Sequence, residues 1–580
     1  MIDHPQLDGE PGKGKRHRLP RVAKPVRLKP EPTINLSPET WGRLHARKLD
    51  PTKSLRLPGE TSPRATVYVG DSLLVRGLVR GNGALEDLKE AAQAAGLRVL
   101  DDSEVHADAE LLAEADLPEE LRSRLADLWV SEVRLEPGTD GPALPPDAWA
   151  VLQHLRARRG PATPVALDHV VTSTSPDVGT APFTQPHPFT QPHPFTQPHP
   201  FTQPHPFTQP HTTYGNGSFA SAPGSGAMGS YGVPGLGGRQ PVAWVGPEPR
   251  PRHPVDGSVR RPLVAVCDTD LADHPWLGPD HVDRDPEVLG LPIGLARAAA
   301  DVTGSADALV GDLQSDAGHG TFMAGLVRQT CPDARILGVR LFGGDGAVSE
   351  AQLLRSLQFL ALRQALAVHG SGAGSEEAPV DVVVLSLGYY HETAEDLAFD
   401  GLLLGPITLL GELGATTVVS AGNDATARPM FPAAFTPFDG GLVPADPGRL
   451  PVVAVGAENP NGSVALFSND GPWVRVLRPG ASLVSCYPPT FDASGQPSAE
   501  LITEDGTWRA AVDPDDFSSG FAVWSGTSFS APVLAGELAA RLSEAYAAGD
   551  ASTAPQDAVA RGWAALEAVT ADDDDPLVRP

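Results

Sequence analysis

Four short stretches of this chain carry side chains whose types and surroundings suit chemistry. Asp268 lies in LVAVCDTD, just past the C-terminal end of an apolar run that reads as a buried strand. Open α/β sheets gather reactive groups at that edge. A carboxylate there orients an imidazole and stabilises the imidazolium. His319 sits in GHGTFMAGLV at the mouth of a helix rich in small residues, with Gly318 and Gly320 letting backbone come close. Ser528 lies in SGTSFSAPVLAGELAARL at a predicted helix start, where Pro532 suits the first turn and the helix amides favour developing negative charge. TTVVSAGND reads as the end of a buried strand at Asn423, and an amide at a strand end suits donation to a tetrahedral oxyanion. Each stretch also has a plain structural reading: a strand-ending turn, a structural histidine, a Ser/Thr N-cap, an Asn-Asp turn. The whole strings GHGT and GTSFSAP are poorly served by those readings.

The elements that must position these residues lie in 261–570. Apolar strand-like runs (LVAVCD, ARILGVRLF, VDVVVLSLG, TTVVSAG, VVAVGA) alternate there with helical stretches (TFMAGLVRQ, SEAQLLRSLQFLALRQALA, a helix near 400–413). Runs apolar on both faces and separated by helices predict a doubly wound, mostly parallel α/β sheet. Residues 65–173 predict a smaller α+β unit. ATVYVG, continued by DSLLVRG, LRVL, WVSEVRLEP and VALDHVVTS read as strands. LEDLKEAAQAAG, ELLAEADLPEELRSRLADL and PPDAWAVLQHLRARRG read as helices. The order is β-α-β, an inserted helical piece, then β-α-β, which suits a split βαβ, ferredoxin-like unit.

Three further zones differ in composition. Residues 1–64 are basic and Pro-rich, with eight Lys or Arg and no acid from Lys13 to Lys29, and read as a disordered arm. Residues 174–260 read as a Pro/Gly-rich linker joining the two units. Its core is FTQPHP in tandem, five copies opening at Phe183, Phe189, Phe195, Phe201 and Phe207. Six residues make two turns of polyproline II, so neighbouring histidines of an extended repeat stand ~19 Å apart, too far to share an ion. A semi-rigid spacer is the expectation. Residues 571–580 (ADDDDPLVRP) read as a disordered acidic tail.

A formal charge of −28 disfavours nucleic acid and anionic membrane as partners. No apolar run is long enough to span a bilayer, and no apolar h-region follows the N-terminus. Three cysteines (Cys267, Cys331, Cys486) are too few and scattered for a disulfide framework. A cytoplasmic setting is the expectation from these features.

Together, DTD…HPWL, GHGTFMAG, LSLG, SAGND and GTSFSAP resemble the subtilisin-like (subtilase) serine peptidases, over about 262–545. The order Asp, His, Ser is that of subtilisin. The resemblance implies a subtilisin-like fold and a serine endopeptidase with Asp268, His319 and Ser528 as its triad and Asn423 in the oxyanion hole. Ser386, Leu387 and Gly388 match the strand that pairs with substrate backbone, where a protein or peptide substrate adds as a β-strand. No cofactor is required for that chemistry. Calcium is frequent in the family, but acidic clusters such as DPDD at 513–516 receive no assignment as ligands. Residues 65–173 resemble the family's N-terminal propeptide in strand order, with VVTSTSP reaching the groove, which makes this unit an expected inhibitor or chaperone of the site. An unrelated adaptor is the alternative.

Two features depart from the pattern. Asp270 stands where a glycine is usual after the catalytic Asp, and PSAELITEDGTWRAAVDPDDF reads as an inserted hairpin. A catalytically weak or silent subtilase fold used as a peptide-binding or scaffold module is the second functional reading, with Asp270 its support. An acyl hydrolase on the same serine is disfavoured by the lack of a GxSxG elbow. Cys267 reads as a small core residue rather than a thiol switch.

Overall fold

Val264-Ala265-Val266-Cys267 and Val382-Val383-Val384-Leu385 are apolar at every position, so strands built from them need cover on both faces. The computed structural model describes residues 32, 36–57, 61–77, 83–100, 104–138, 145–160, 163–173, 239–296, 311–370, 377–393, 401–573 and 576–580.

The N-terminal half holds β1 (Ala46–Leu49), β2 (Thr66–Arg76), β3 (Leu97–Val99), β4 (Val130–Pro137) and β5 (Val165–Ser173). β2 to β5 pair antiparallel in the order β5-β2-β4-β3, with crossover helices Gly83–Ala94 and Ala148–Arg159. This is the expected split βαβ order. Asp147 caps the second crossover helix through Trp149 N and Ala150 N, and Gly160 at φ 89° ends it. The single helical stretch read after β3 is two helices, Glu104–Glu114 and Glu119–Leu128, parted before Pro118, which cannot continue a helix.

The C-terminal half holds β6 (Gln240–Pro241), β7 (Leu263–Asp268), β8 (Val282–Asp283), β9 (Glu287–Val288), β10 (Leu291–Pro292), β11 (Arg335–Arg340), β12 (Ala347–Ser349), β13 (Val382–Leu385), β14 (Leu387–Gly388), β15 (Thr416–Ser420), β16 (Val452–Glu458), β17 (Val474–Pro479), β18 (Leu483–Cys486), β19 (Glu500–Ile502), β20 (Trp508–Ala510) and β21 (Phe521–Trp524). Seven of these form an all-parallel sheet in the order β17-β16-β15-β13-β7-β11-β8. Alternate residues serve opposite faces. Val264, Val266, Val382, Val384 and Val418 pack under helices His319–Thr330 and Thr527–Ala547. Ala265, Cys267, Val383, Leu385 and Val419 pack under helices Glu350–His369 and Leu404–Glu412. The predicted insertion is a hairpin of β19 and β20.

The two halves meet closely. The face of the N-terminal sheet that bears Leu74 and Val171 joins the core around helix Glu350–His369, where the rings of Trp129 and Phe359 lie 6.0 Å apart. β5 then runs on to pair antiparallel with β12 and β14.

Three expected boundaries shift. Within the arm read as 1–64, helix Pro38–Arg43 and β1 are folded. β1 pairs with residues 66–69 of β2, the stretch that β4 leaves open, so backbone groups there find partners. The linker read as 174–260 gives way to packed structure at Arg239. β6 pairs β21, and Asp333 accepts from the amides of Arg252 and His253 at 2.7 and 2.9 Å. In the tail read as 571–580, Leu577 is buried and its amide donates to Thr570 Oγ1 at 3.0 Å. The basic stretch from Lys13 to Lys29 and the FTQPHP repeats lie outside the described residues. Among the described residues, no helix is long and apolar enough to cross a membrane.

Candidate active site

Asp268 ends β7 and is fully buried. Its Oδ1 accepts from Thr269 N and from His319 Nδ1, both at 2.7 Å. The latter bond places the imidazole lone pair on Nε2. His319 opens helix His319–Thr330 behind Gly318, whose φ of 77° suits glycine. Gly320 lies so close to β7 that an added Cβ would stand 2.5 Å from Thr269 O, and Thr269 Oγ1 accepts from Gly320 N at 2.8 Å. The GHG string therefore locks the histidine against the strand that carries its carboxylate. Burial opposes charge on His319, but the Asp268 carboxylate outweighs it and holds the imidazole pKa above its usual value; Asp316 adds to this and Arg239 opposes it.

His319 Nε2 is buried and makes no hydrogen bond among the described residues. Beside the ring begins helix Thr527–Ala547, with Phe529 5.2 Å from the imidazole and Ser528 one residue before it. Ser386, just past β13, donates its Oγ to Ser528 O at 2.9 Å. Strand register puts Leu385 level with Cys267 and Val419, so the chain leaves β7, β13 and β15 at one edge with Asp268, Ser386 and Asn423. Asn423 Oδ1 accepts from Thr527 N and Thr527 Oγ1 at 3.0 and 2.9 Å, which fixes the amide at the start of the serine-bearing helix.

Leu387 and Gly388 form β14 and are already paired: Leu387 lies opposite Ser173 and Gly388 opposite Thr172. On its other side the same segment pairs with β12, and Ser173 N donates to Gly346 O at 2.7 Å. The end of β5 thus lies as a strand between two edges of the C-terminal half.

Several site residues were missed in the sequence. Asp316, three residues before His319, is buried and accepts a hydrogen bond from Ser173 Oγ. The second carboxylate that acts on His319 is this one, where the sequence drew attention to Asp270. Asp270 has no positive φ, so glycine's freedom is not needed there, and its Oδ1 accepts from Leu271 N at 2.8 Å. Arg239 donates to the carbonyls of Gln314, Ser315 and Ala317 and stacks over Trp524 at 5.1 Å, whose ring stands edge-on to His319. Asp424, read as a turn residue, accepts from Tyr390 OH at 2.7 Å, and burial pushes its pKa up to about 6. Only the tertiary contacts single these residues out; adjacency to the GHGT and SAGN strings is the one signal the sequence offered for Asp316 and Asp424, and it offered none for Arg239.

The three cysteines are buried and free, and burial pushes the Cys331 thiol up to about 11. In the acidic insertion, carboxylates of Asp492, Asp513 and Asp515 gather within 4.8 Å of one another, an arrangement common in exposed acidic loops.

The sequence model of the Subtilase family matches residues 260–569, just over half of the chain. The chain belongs to this family. It is 27% identical to the subtilase-type proteinase psp3 of Schizosaccharomyces pombe over 175 residues, 29% of this chain and 32% of that protein. It is 27% identical over 229 residues to the thermophilic serine proteinase of Bacillus sp. strain AK1, 38% of this chain and 44% of that one. Halolysin of Haloferax mediterranei is 27% identical over 185 residues, 30% of this chain and 29% of that protein. The chain thus spans less than half the length of these curated relatives. Among solved structures, a cold adapted subtilisin-like serine proteinase matches at 20% identity and a TM-score of 0.31, over 57% of this chain and 88% of that one. The protease domain of PatA matches at 21% identity and a TM-score of 0.33, over 53% and 87%.

Proposed function

We propose that this subtilase is a serine endopeptidase that works through an acyl-enzyme on Ser528 and is held latent by its own N-terminal unit. The observation that carries the reading is the buried Asp268–His319 bond at 2.7 Å, which leaves an acceptor nitrogen beside the helix start that bears Ser528. In this mechanism Ser528 Oγ attacks the scissile carbonyl while His319 Nε2 takes its proton. Asp268 holds the imidazole tautomer and stabilises the imidazolium. The oxyanion receives hydrogen bonds from the Asn423 amide and Ser528 N–H. The imidazolium then protonates the leaving amine, and water repeats the sequence to free the acid. A hydrogen bond from Ser528 Oγ to Nε2 need not be closed before substrate binds.

The latent state rests on β5. Residues 170–173 pair with β12 and β14 as a peptide substrate would, with Val171 buried beneath. A substrate must displace this strand. A silent binding module is less well supported, because its one sequence argument, Asp270, meets ordinary backbone here.

The test is labelling with a fluorophosphonate probe. Labelling should require Ser528 and should quicken in Val171→Arg, which buries an unpaired charge in the docked strand. A folded Val171→Arg protein that takes no probe would overturn the active-enzyme reading.

A further inference from the structure

We propose that His169, His391 and Glu392 form a divalent-metal site, zinc by its donor set, that clamps the N-terminal unit across the substrate groove. The inference rests on the docked arrangement above and deepens it by naming what holds the two units together.

His169 comes from β5, four residues before the end of the strand that fills the groove; His391 and Glu392 follow β14 on the other wall. All three are buried, and each offers one ligand atom within 4.8 Å of the others. His169 Nε2 lies 2.9 Å from Glu392 Oε2, and His391 Nδ1 lies 3.3 Å from the same oxygen. Tetrahedral zinc with bonds of about 2.0–2.1 Å sets its ligand atoms roughly 3.3 Å apart, close to the two separations from Glu392 Oε2.

The surroundings fit. The other ring nitrogen of His169 lies 2.6 Å from Glu350 Oε2, and Glu350 Oε1 accepts from Tyr389 OH at 2.9 Å. A histidine whose second nitrogen is held by an anchored carboxylate is the arrangement that orients metal ligands and raises their basicity. Tyr389 stacks on the His169 ring at 4.5 Å and fixes its plane. Arg156 engages Glu392 through Oε1 at 3.3 Å, which leaves Oε2 for an ion. An ion on His391 Nδ1 displaces Thr393, whose N–H and Oγ1 contact that nitrogen at 3.1 and 2.8 Å. Two histidines, one carboxylate and a water complete a four-coordinate zinc set. Because the ligands come from both units, the ion binds the docked state and stabilises it.

The test uses the full chain carrying Ser528→Ala, so that it does not digest itself, stripped with a chelator and titrated with Co²⁺ and then Zn²⁺. The expected result is a visible four-coordinate cobalt spectrum that zinc abolishes. His169→Ala and His391→Gln should each remove that spectrum and one equivalent of metal, with far-UV circular dichroism unchanged. Glu350→Gln should weaken binding by roughly 10–100-fold. Stoichiometry and spectrum that are the same with and without both histidines would overturn the proposal, and would mean that a shared proton alone joins His169 to Glu392. Failure of the latency reading shows separately, as a Val171→Arg protein that takes up the fluorophosphonate probe no faster than the parent.

Discussion

The two sheets of this protein bury their apolar residues in different ways. The parallel sheet is apolar on both faces and is covered on both by helices of its own half. The antiparallel sheet covers one face with its own crossover helices, through Leu73, Val75, Leu88, Trp149 and Leu152. Its other face, with Leu74, Trp129 and Val171, is completed by helix Glu350–His369 of the parallel half. A sheet closed on both faces can hold reactive groups at its strand ends in fixed geometry. A sheet with one face unfinished gains its full core only by docking. In the proposed reading the chemistry therefore belongs to the first and the control of access to the second.

That division breaks if the two functions do not separate. Ser528→Ala should lower turnover by on the order of 10⁶, the magnitude known from subtilisin, while leaving the docked N-terminal unit as protected in hydrogen exchange as before. Undocking in that variant would mean the halves are not independent. Asn423→Ala should lower kcat by roughly 10²–10³ with KM little changed, again the magnitude measured on subtilisin, because its amide acts on charge that appears in the transition state. A change confined to KM would remove Asn423 from that role.

The docking face can be attacked alone. Trp129→Ala leaves a cavity against Phe359 and removes the hydrogen bond to Asp108, at a cost of about 3–5 kcal/mol in chemical denaturation. It should also quicken probe labelling of Ser528. Destabilisation without quicker labelling would show that this face does not govern access.

The smallest effect sharpens the site itself. In the proposed mechanism the neutral imidazole is the base, so activity should rise with pH through the His319 pKa, which lies above the ordinary 6.5. Asp316 helps to raise it, so Asp316→Asn should move the acid limb of kcat/KM to lower pH. Arg239 opposes it, so Arg239→Gln should move the limb to higher pH. Limbs that stay put in both variants would assign the profile to another group.

Much of the site was legible because its residues sit in strings that local backbone geometry demands. GHGT needs Gly320 for its approach to Thr269, and GTSFSAP needs a helix that starts at Thr527, just before the serine. The alternation of apolar strands with helices likewise predicted a parallel sheet, since only that sheet buries both faces of Val382–Leu385. The ends of zones were less legible. Composition marked 36–64, 239–260 and 571–580 as arm, linker and tail, but Leu49 and Leu577 join buried cores and Arg239 finds partners far away in the chain.

The sequence by itself determined the candidate residues and the kind of sheet that carries them, because period and local motif act over a few residues. Tertiary structure decided what those residues face. It placed Asp316 beside His319, paired Val171 with β12 and Ser173 with β14, and brought His169 to His391 and Glu392 across two units. Burial and electrostatic contact join residues by distance in space, and neither period nor composition records that distance.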